Sequence, residues 1–312
     1  MTTGTHPRAA PAEVHDVVLD AGGVRISGLL AQPRTAEAAS SHSVVIVALH
    51  GRATGAGYFH GQAHPDLSLL DLAGAHGYTV LALDRPGYGR FADDLHDGQS
   101  LAEQSTTLHG VLRAFARTLP GVAGFFVVAH SYGGMVALHL AADDTENRVV
   151  GLDISGCGFG YSRDGLHPPN TFAGEIRMNW GPLQLYPPET FQQCRRLVSP
   201  VPPREEQEWP HWPDHYARLA PRVTVPVRFT FAEHEFWWLL DDATLTDMTS
   251  RLSEAPLVRV DHQAEAGHNI SLGWAAPEYH RAALGFLAEC RSWLENNAGG
   301  SWGDRNGHTA TR

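Results

Sequence analysis

The chain has 312 residues, 34 acidic against 23 basic side chains, and a formal net charge of −11 with histidine neutral. That surplus, with no basic cluster to offset it, argues against nucleic acid or an anionic membrane surface as the main partner. No run reaches the length of a membrane span, residues 1–13 lack the apolar core of a secretory signal, and three widely spaced cysteines, Cys157, Cys194 and Cys290, fit reduced thiols in a cytoplasmic protein.

Lysine is absent, so every one of the 23 basic residues is arginine, and with abundant Ala, Gly and Pro this points to a GC-rich bacterial genome. The 19 histidines invite a metal reading. Neither a His-Glu-x-x-His run nor a paired cysteine spacing is present, so no metal site and no cofactor is expected.

Residues 14–31 hold two strand-like runs around Ala21-Gly22-Gly23, an antiparallel hairpin. Residues 35–43 are small and polar and read as a surface loop. A strand over 44–49, a helix over 67–76 stopped by Gly77, a strand over 78–83 and a helix over 100–118 stopped by Pro120 come next. A strand over 125–129, a helix over 133–142 and a strand over 149–154 follow. This alternation predicts an α/β fold: a mostly parallel, doubly wound sheet with helices on both faces.

Between residues 157 and 222 the pattern breaks into clustered prolines and large aromatics, Trp180, Tyr186, Trp209 and Trp212 among them. A structureless loop of that length does not suit a compact domain, so a cap, or lid, inserted after the strand ending near Ser155 is expected. Its rings, each with roughly 150–250 Å² to bury, would form the cap's own core or cover an apolar pocket. Strands over 226–231 and 257–261 and a helix over 278–296 complete the chain. The expected division is a core of residues 1–156 and 223–296, a cap of 157–222, and a disordered tail of 297–312.

The motif that carries chemistry is Ala129-His130-Ser131-Tyr132-Gly133. It stands between an apolar strand and a helix, with small residues where a sharp strand-to-helix turn has no room for bulk. Such a turn exposes the serine hydroxyl and aims the first amides of the helix at the same place. Alanine at 129 replaces the glycine usual there. After strand 226–231 comes Ala232-Glu233-His234-Glu235, and after strand 257–261 comes Gly267-His268. Both acids and the histidine thus follow strands, where a parallel sheet presents its functional loops.

With His50-Gly51 after the strand at 44–49 and Asp84-Arg85-Pro86-Gly87-Tyr88-Gly89 after the strand at 78–83, these signatures resemble the α/β-hydrolase fold superfamily, serine-nucleophile branch, over roughly residues 16–295. The resemblance implies a nucleophile, acid and base in the order Ser131, Glu235, His268. Glu235 aligns with the acid of the family's Gly-x-x-Asp loop; Glu233 is a competitor and Asp261 a reserve. The oxyanion hole would combine the N–H of Tyr132 with that of Arg52, whose guanidinium could also meet a substrate carboxylate or phosphate. His50 and His130 read as structural, and Asp84 as an organiser of its loop.

The implied activity is hydrolysis of an ester or thioester of a small, largely apolar molecule through an acyl-serine, with Trp180, Trp237 and Trp238 as candidate pocket residues. Two alternatives stand beside it: a lyase of a bacterial natural-product pathway that uses the same Ser and His to eliminate a carboxylate such as acetate, and a non-catalytic small-molecule binder that retained the fold. Serine at the turn argues against epoxide hydrolases and dehalogenases, whose nucleophile is an aspartate.

Overall fold

A computed structural model describes residues 12–33, 43–119 and 121–297. Residues 1–11, the expected loop apart from Ser43, the helix stop at Pro120 and the tail beyond residue 297 lie outside the described residues. Eight strands, β1 (Glu13–Ala21), β2 (Val24–Gln32), β3 (Val44–Leu49), β4 (Val80–Leu83), β5 (Gly124–His130), β6 (Val149–Ser155), β7 (Val227–His234) and β8 (Val258–Gly267), form one sheet. Their spatial order is β1-β2-β4-β3-β5-β6-β7-β8. β1 and β2 are antiparallel to each other and β2 is antiparallel to β4, while every pair from β4 to β8 is parallel.

The expected hairpin closes on Gly22 and Gly23 at φ 65° and 96°, with Ala21 paired to Val24. A two-residue turn with both φ positive matches the twist of the strands it joins, and glycine adopts it without a side-chain clash. β3, β5 and β6 are buried along their whole length. Their continuous apolar runs follow from helices covering both faces. Alternate residues serve opposite layers: Val45, Val47 and Leu49 join one core cluster, and Val44, Ile46 and Ala48 join the other.

On the first face lie α2 (Leu101–Thr118) and α3 (Tyr132–Ala142); on the second lie α1 (Leu69–Ala75) and α10 (Ala276–Asn297). Caps set the starts: Ser68 accepts from the Asp71 N–H, and Ser100 and Glu103 form a reciprocal capping box. Between β6 and β7 the chain forms short helices, α4 (Arg163–Leu166), α5 (Phe172–Asn179), α6 (Pro188–Leu197), α7 (Pro203–Glu208) and α8 (Trp212–Leu219). α8 packs Trp212 and Tyr216 into the first core cluster. A further helix, α9 (Asp242–Ser250), follows β7 where none was read from the sequence. No helix among the described residues is long and apolar enough to cross a membrane.

Candidate active site

Ser131 stands where β5 ends and α3 begins, with φ 51° and ψ −121°. A non-glycine residue in that region costs on the order of 1–3 kcal/mol and persists only where its surroundings over-determine it. The surroundings here are tight. A β-carbon on Gly133 would run into the carbonyl oxygens of Leu49 and His50, and one on Gly51 would come within 3.1 Å of the Ser131 β-carbon. The methyl group of Ala129, by contrast, is fully buried in the first core cluster.

The Ser131 hydroxyl lies 3.1 Å from Nε2 of His268, and Nδ1 of that ring lies 2.7 Å from Oε2 of Glu235. With the imidazole proton on Nδ1, the ring donates to the carboxylate and leaves Nε2 to accept the hydroxyl proton. The other oxygen of Glu235 accepts the Trp237 N–H at 3.0 Å, and its side chain is fully buried. β7 delivers Glu235 just past its last residue, and β8 delivers His268 in the same way. Gly156, at φ 58°, lies under the imidazole; a β-carbon there would be 2.9 Å from Cε1.

The other acids turn elsewhere. Glu233 is exposed and accepts the Glu265 N–H at 2.8 Å, and Asp261 pairs with Arg228 at 3.0 Å. His130 stacks on Tyr58 and lies 4.7 Å from the His268 ring. Burial first, and then the neighbouring His268, holds its pKa well below the ordinary value. His130 is therefore neutral near pH 7. Asp84 accepts from the Ala56 N–H at 2.8 Å and from the Ser27 hydroxyl at 2.6 Å, tying its loop together.

Tyr132 is the first residue of α3, so its N–H has no acceptor within the helix. Arg52 follows Gly51, where an added β-carbon would crowd Ser131; the Arg52 guanidinium lies 5.1 Å from the Trp209 ring, and its Nε is buried without a hydrogen-bond partner. Trp237 lies 6.0 Å from the His268 ring and 5.6 Å from Trp209, again with a buried, unpartnered indole N–H. Trp238 is anchored by its indole N–H to the Gly156 carbonyl at 2.8 Å. Trp180 packs on Tyr186 and Phe191 in the second core cluster.

One group was not read from the sequence. Arg85 and Glu205 form a fully buried ion pair behind the His50-Gly51 loop. Arg85 lies in Asp84-Arg85-Pro86-Gly87-Tyr88-Gly89, and its place between an aspartate and a proline is the signal that a buried cation offers in the sequence. Glu205 carried no local signal. Among the described residues no group of three or more His, Cys, Asp or Glu side chains is placed to hold a metal ion.

Residues 46–283 match the sequence model of the alpha/beta hydrolase family. RutD of Escherichia coli O9:H4 (strain HS), a candidate carbamate hydrolase, is 28% identical over 133 residues, 39% of this chain and 45% of RutD. The chain thus spans about half the length of that relative. A serine hydrolase from the polyaromatic-hydrocarbon-degrading bacterium Cycloclasticus zankles superposes with a TM-score of 0.62 at 17% identity, covering 89% of this chain and 99% of that one. A thioesterase domain from the curacin biosynthetic pathway gives 0.56 at 16% identity, covering 87% and 99%. At such identities the structures share a fold.

Proposed function

Because this chain belongs to the alpha/beta hydrolase family, we propose that it is a serine hydrolase that cleaves an ester, thioester or carbamate of a small, largely apolar molecule through an acyl-serine. The observation that carries this reading is the line from Ser131 through His268 to Glu235, at 3.1 and 2.7 Å. A hydroxyl is a weak nucleophile until a base within hydrogen-bond reach removes its proton. His268 takes that proton as the Ser131 oxygen bonds to the substrate carbonyl carbon, and buried Glu235 stabilises the imidazolium that forms. The N–H groups of Tyr132 and Arg52 hold the oxyanion. Collapse of the tetrahedral species returns the proton to the leaving oxygen or sulfur, and water, activated by the same imidazole, releases the acid.

Residues 157–222 act as a cap in this reading. Support comes from Trp209, which touches Trp237 beside His268, and from Glu205, which reaches the loop behind Arg52. The rings of Trp209, Trp237 and Trp238 form an apolar wall, while the unpartnered donors of Arg52 and Trp237 suit a substrate with an acceptor of its own.

The test is a panel of acyl esters, thioesters and carbamates assayed with the wild type and Ser131→Ala, followed by reaction of the best substrate in ¹⁸O-labelled water. Hydrolysis places solvent oxygen in the released acid and leaves an alcohol or thiol, together with an amine and carbon dioxide when the substrate is a carbamate. An unlabelled acid accompanied by a new double bond would replace this reading with elimination.

A further inference from the structure

We propose that Arg85 and Glu205 are positioning residues that aim the Arg52 N–H at the oxyanion, an inference that rests on the hydrolase reading above. Both side chains are fully buried. Nε of Arg85 donates to the His50 carbonyl at 2.8 Å and Nη2 donates to the Gly51 carbonyl at 3.0 Å. The Arg85 N–H donates to Nε2 of His50 at 2.9 Å, which leaves the ring proton on Nδ1 to donate to the same Gly51 oxygen at 2.8 Å. Burial, and then the Arg85 charge, holds His50 well below its ordinary pKa, so the ring keeps this neutral form.

Planarity turns these contacts into a constraint on the reacting side. The C=O of Gly51 and the N–H of Arg52 belong to one peptide unit, and in a trans peptide they point in opposite directions in one plane. Two donors that fix the Gly51 oxygen therefore fix the direction of the Arg52 N–H. The next peptide is tethered as well: the Ala53 N–H lies 3.4 Å from the Tyr88 hydroxyl, which itself donates to Oε2 of Glu205 at 2.7 Å.

Glu205 completes the arrangement from α7, more than a hundred residues further along the chain. It accepts from both Nη1 and Nη2 of Arg85 and from Gln104. Burial alone would lower the Arg85 pKa, but the Glu205 carboxylate, Tyr88 and the hydrogen bonds to Glu205 outweigh it and raise it, so the guanidinium stays charged. Buried ion pairs seldom stabilise a fold more than apolar residues of similar size do. Stability alone thus does not account for this one, whereas its hold on the Gly51 carbonyl gives it work at the site. The docking of α7 accordingly sets the geometry of the second oxyanion donor.

The experiment compares the wild type with Glu205→Gln, Tyr88→Phe and the apolar double variant Arg85→Met, Glu205→Met. Thermal unfolding fixes the folded fraction of each. Steady-state kinetics on p-nitrophenyl butyrate are paired with inhibition by an alkyl boronic acid and by butyramide. The Ser131 oxygen bonds to boron and its proton passes to His268, so the adduct places an oxygen in the oxyanion hole; butyramide forms no such bond. In the double variant kcat per folded molecule should fall about 10²- to 10³-fold, as for loss of one oxyanion donor, with KM and butyramide inhibition changed less than about threefold. Boronate affinity should weaken by the same factor as kcat/KM. Glu205→Gln and Tyr88→Phe should show the same pattern at smaller amplitude, and they decide the matter if the double variant does not fold. Unchanged kcat per folded molecule, or equal weakening of boronate and butyramide, overturns the inference. A wild type that binds no boronate overturns the hydrolase reading and this inference with it.

Discussion

At the scale of single residues, the site depends on which way each acid points. Glu233 and Glu235 are two apart at the end of β7, so in a regular strand they would share one face. The register of β7 on β8 shifts between Ala232 and His234, and beyond that shift Glu235 turns inward to His268 while Glu233 stays exposed. The longer arm of glutamate is accommodated because its second oxygen is tied to the Trp237 N–H. On the proposed mechanism Ser131→Ala and His268→Ala should each lower kcat by about 10⁶-fold and Glu235→Ala by about 10⁴-fold, since a nucleophile and its base act as a unit that the acid only assists. Glu233→Ala and Asp261→Ala should stay within about threefold of the wild type, because neither carboxylate reaches the imidazole. Steady-state assays on one ester decide this. A Glu235→Ala enzyme as active as the wild type would remove it from the mechanism.

At the scale of elements, what could be read from the sequence was what a local pattern dictates. β3, β5 and β6 were legible because strands covered on both faces must be continuously apolar. The Ser131 turn was legible because only small residues fit beside the backbone of β3. The helices between β6 and β7 were not, since their prolines read as breakers. In the structure Pro188, Pro203 and Pro213 occupy the first turns of α6, α7 and α8, where a missing N–H costs nothing. α9 was missed although Asp241 caps it, its side chain accepting from the Thr244 N–H. The Arg85–Glu205 pair could not be read at all, because it is a tertiary contact between a loop and a helix far apart in sequence. The docking of α8 provides the prediction at this scale. Trp212 is fully buried and its indole N–H donates to the Gly158 carbonyl at 2.8 Å. Trp212→Ala should therefore cost about 3–5 kcal/mol of stability, measured by urea unfolding. A loss below about 1 kcal/mol would mean that α8 does not share the core.

At the scale of the whole molecule, the two core layers bury histidines as well as hydrocarbon, and this gives the fold a pH dependence whose sign can be derived. Burial is the leading cause in each case: it holds His50 and His130 well below the ordinary value, brings His139 to about 4 despite Asp143, and brings His280 to about 3. The unfolded chain protonates these rings near pH ~6.5. The folded protein does not protonate His139 until about pH 4, nor His280 until about pH 3. Between those limits the unfolded state binds more protons, so stability is full above the unfolded value and is lost as the pH falls. Each such ring contributes a slope of about 1.4 kcal/mol per pH unit within its window. Asp153 acts in the opposite sense, because burial raises its carboxyl and Arg228 only partly offsets this, but it is one group against six histidines, since burial lowers His60 and His215 as well. Urea unfolding between about pH 7 and about pH 5 should show stability falling steadily. The variant His139→Gln, His280→Gln should flatten that fall by the share of two rings, whatever its stability at pH 7. A wild-type profile that is level over this range, or one that rises toward acid, would mean that these rings are already protonated or solvated in the folded protein.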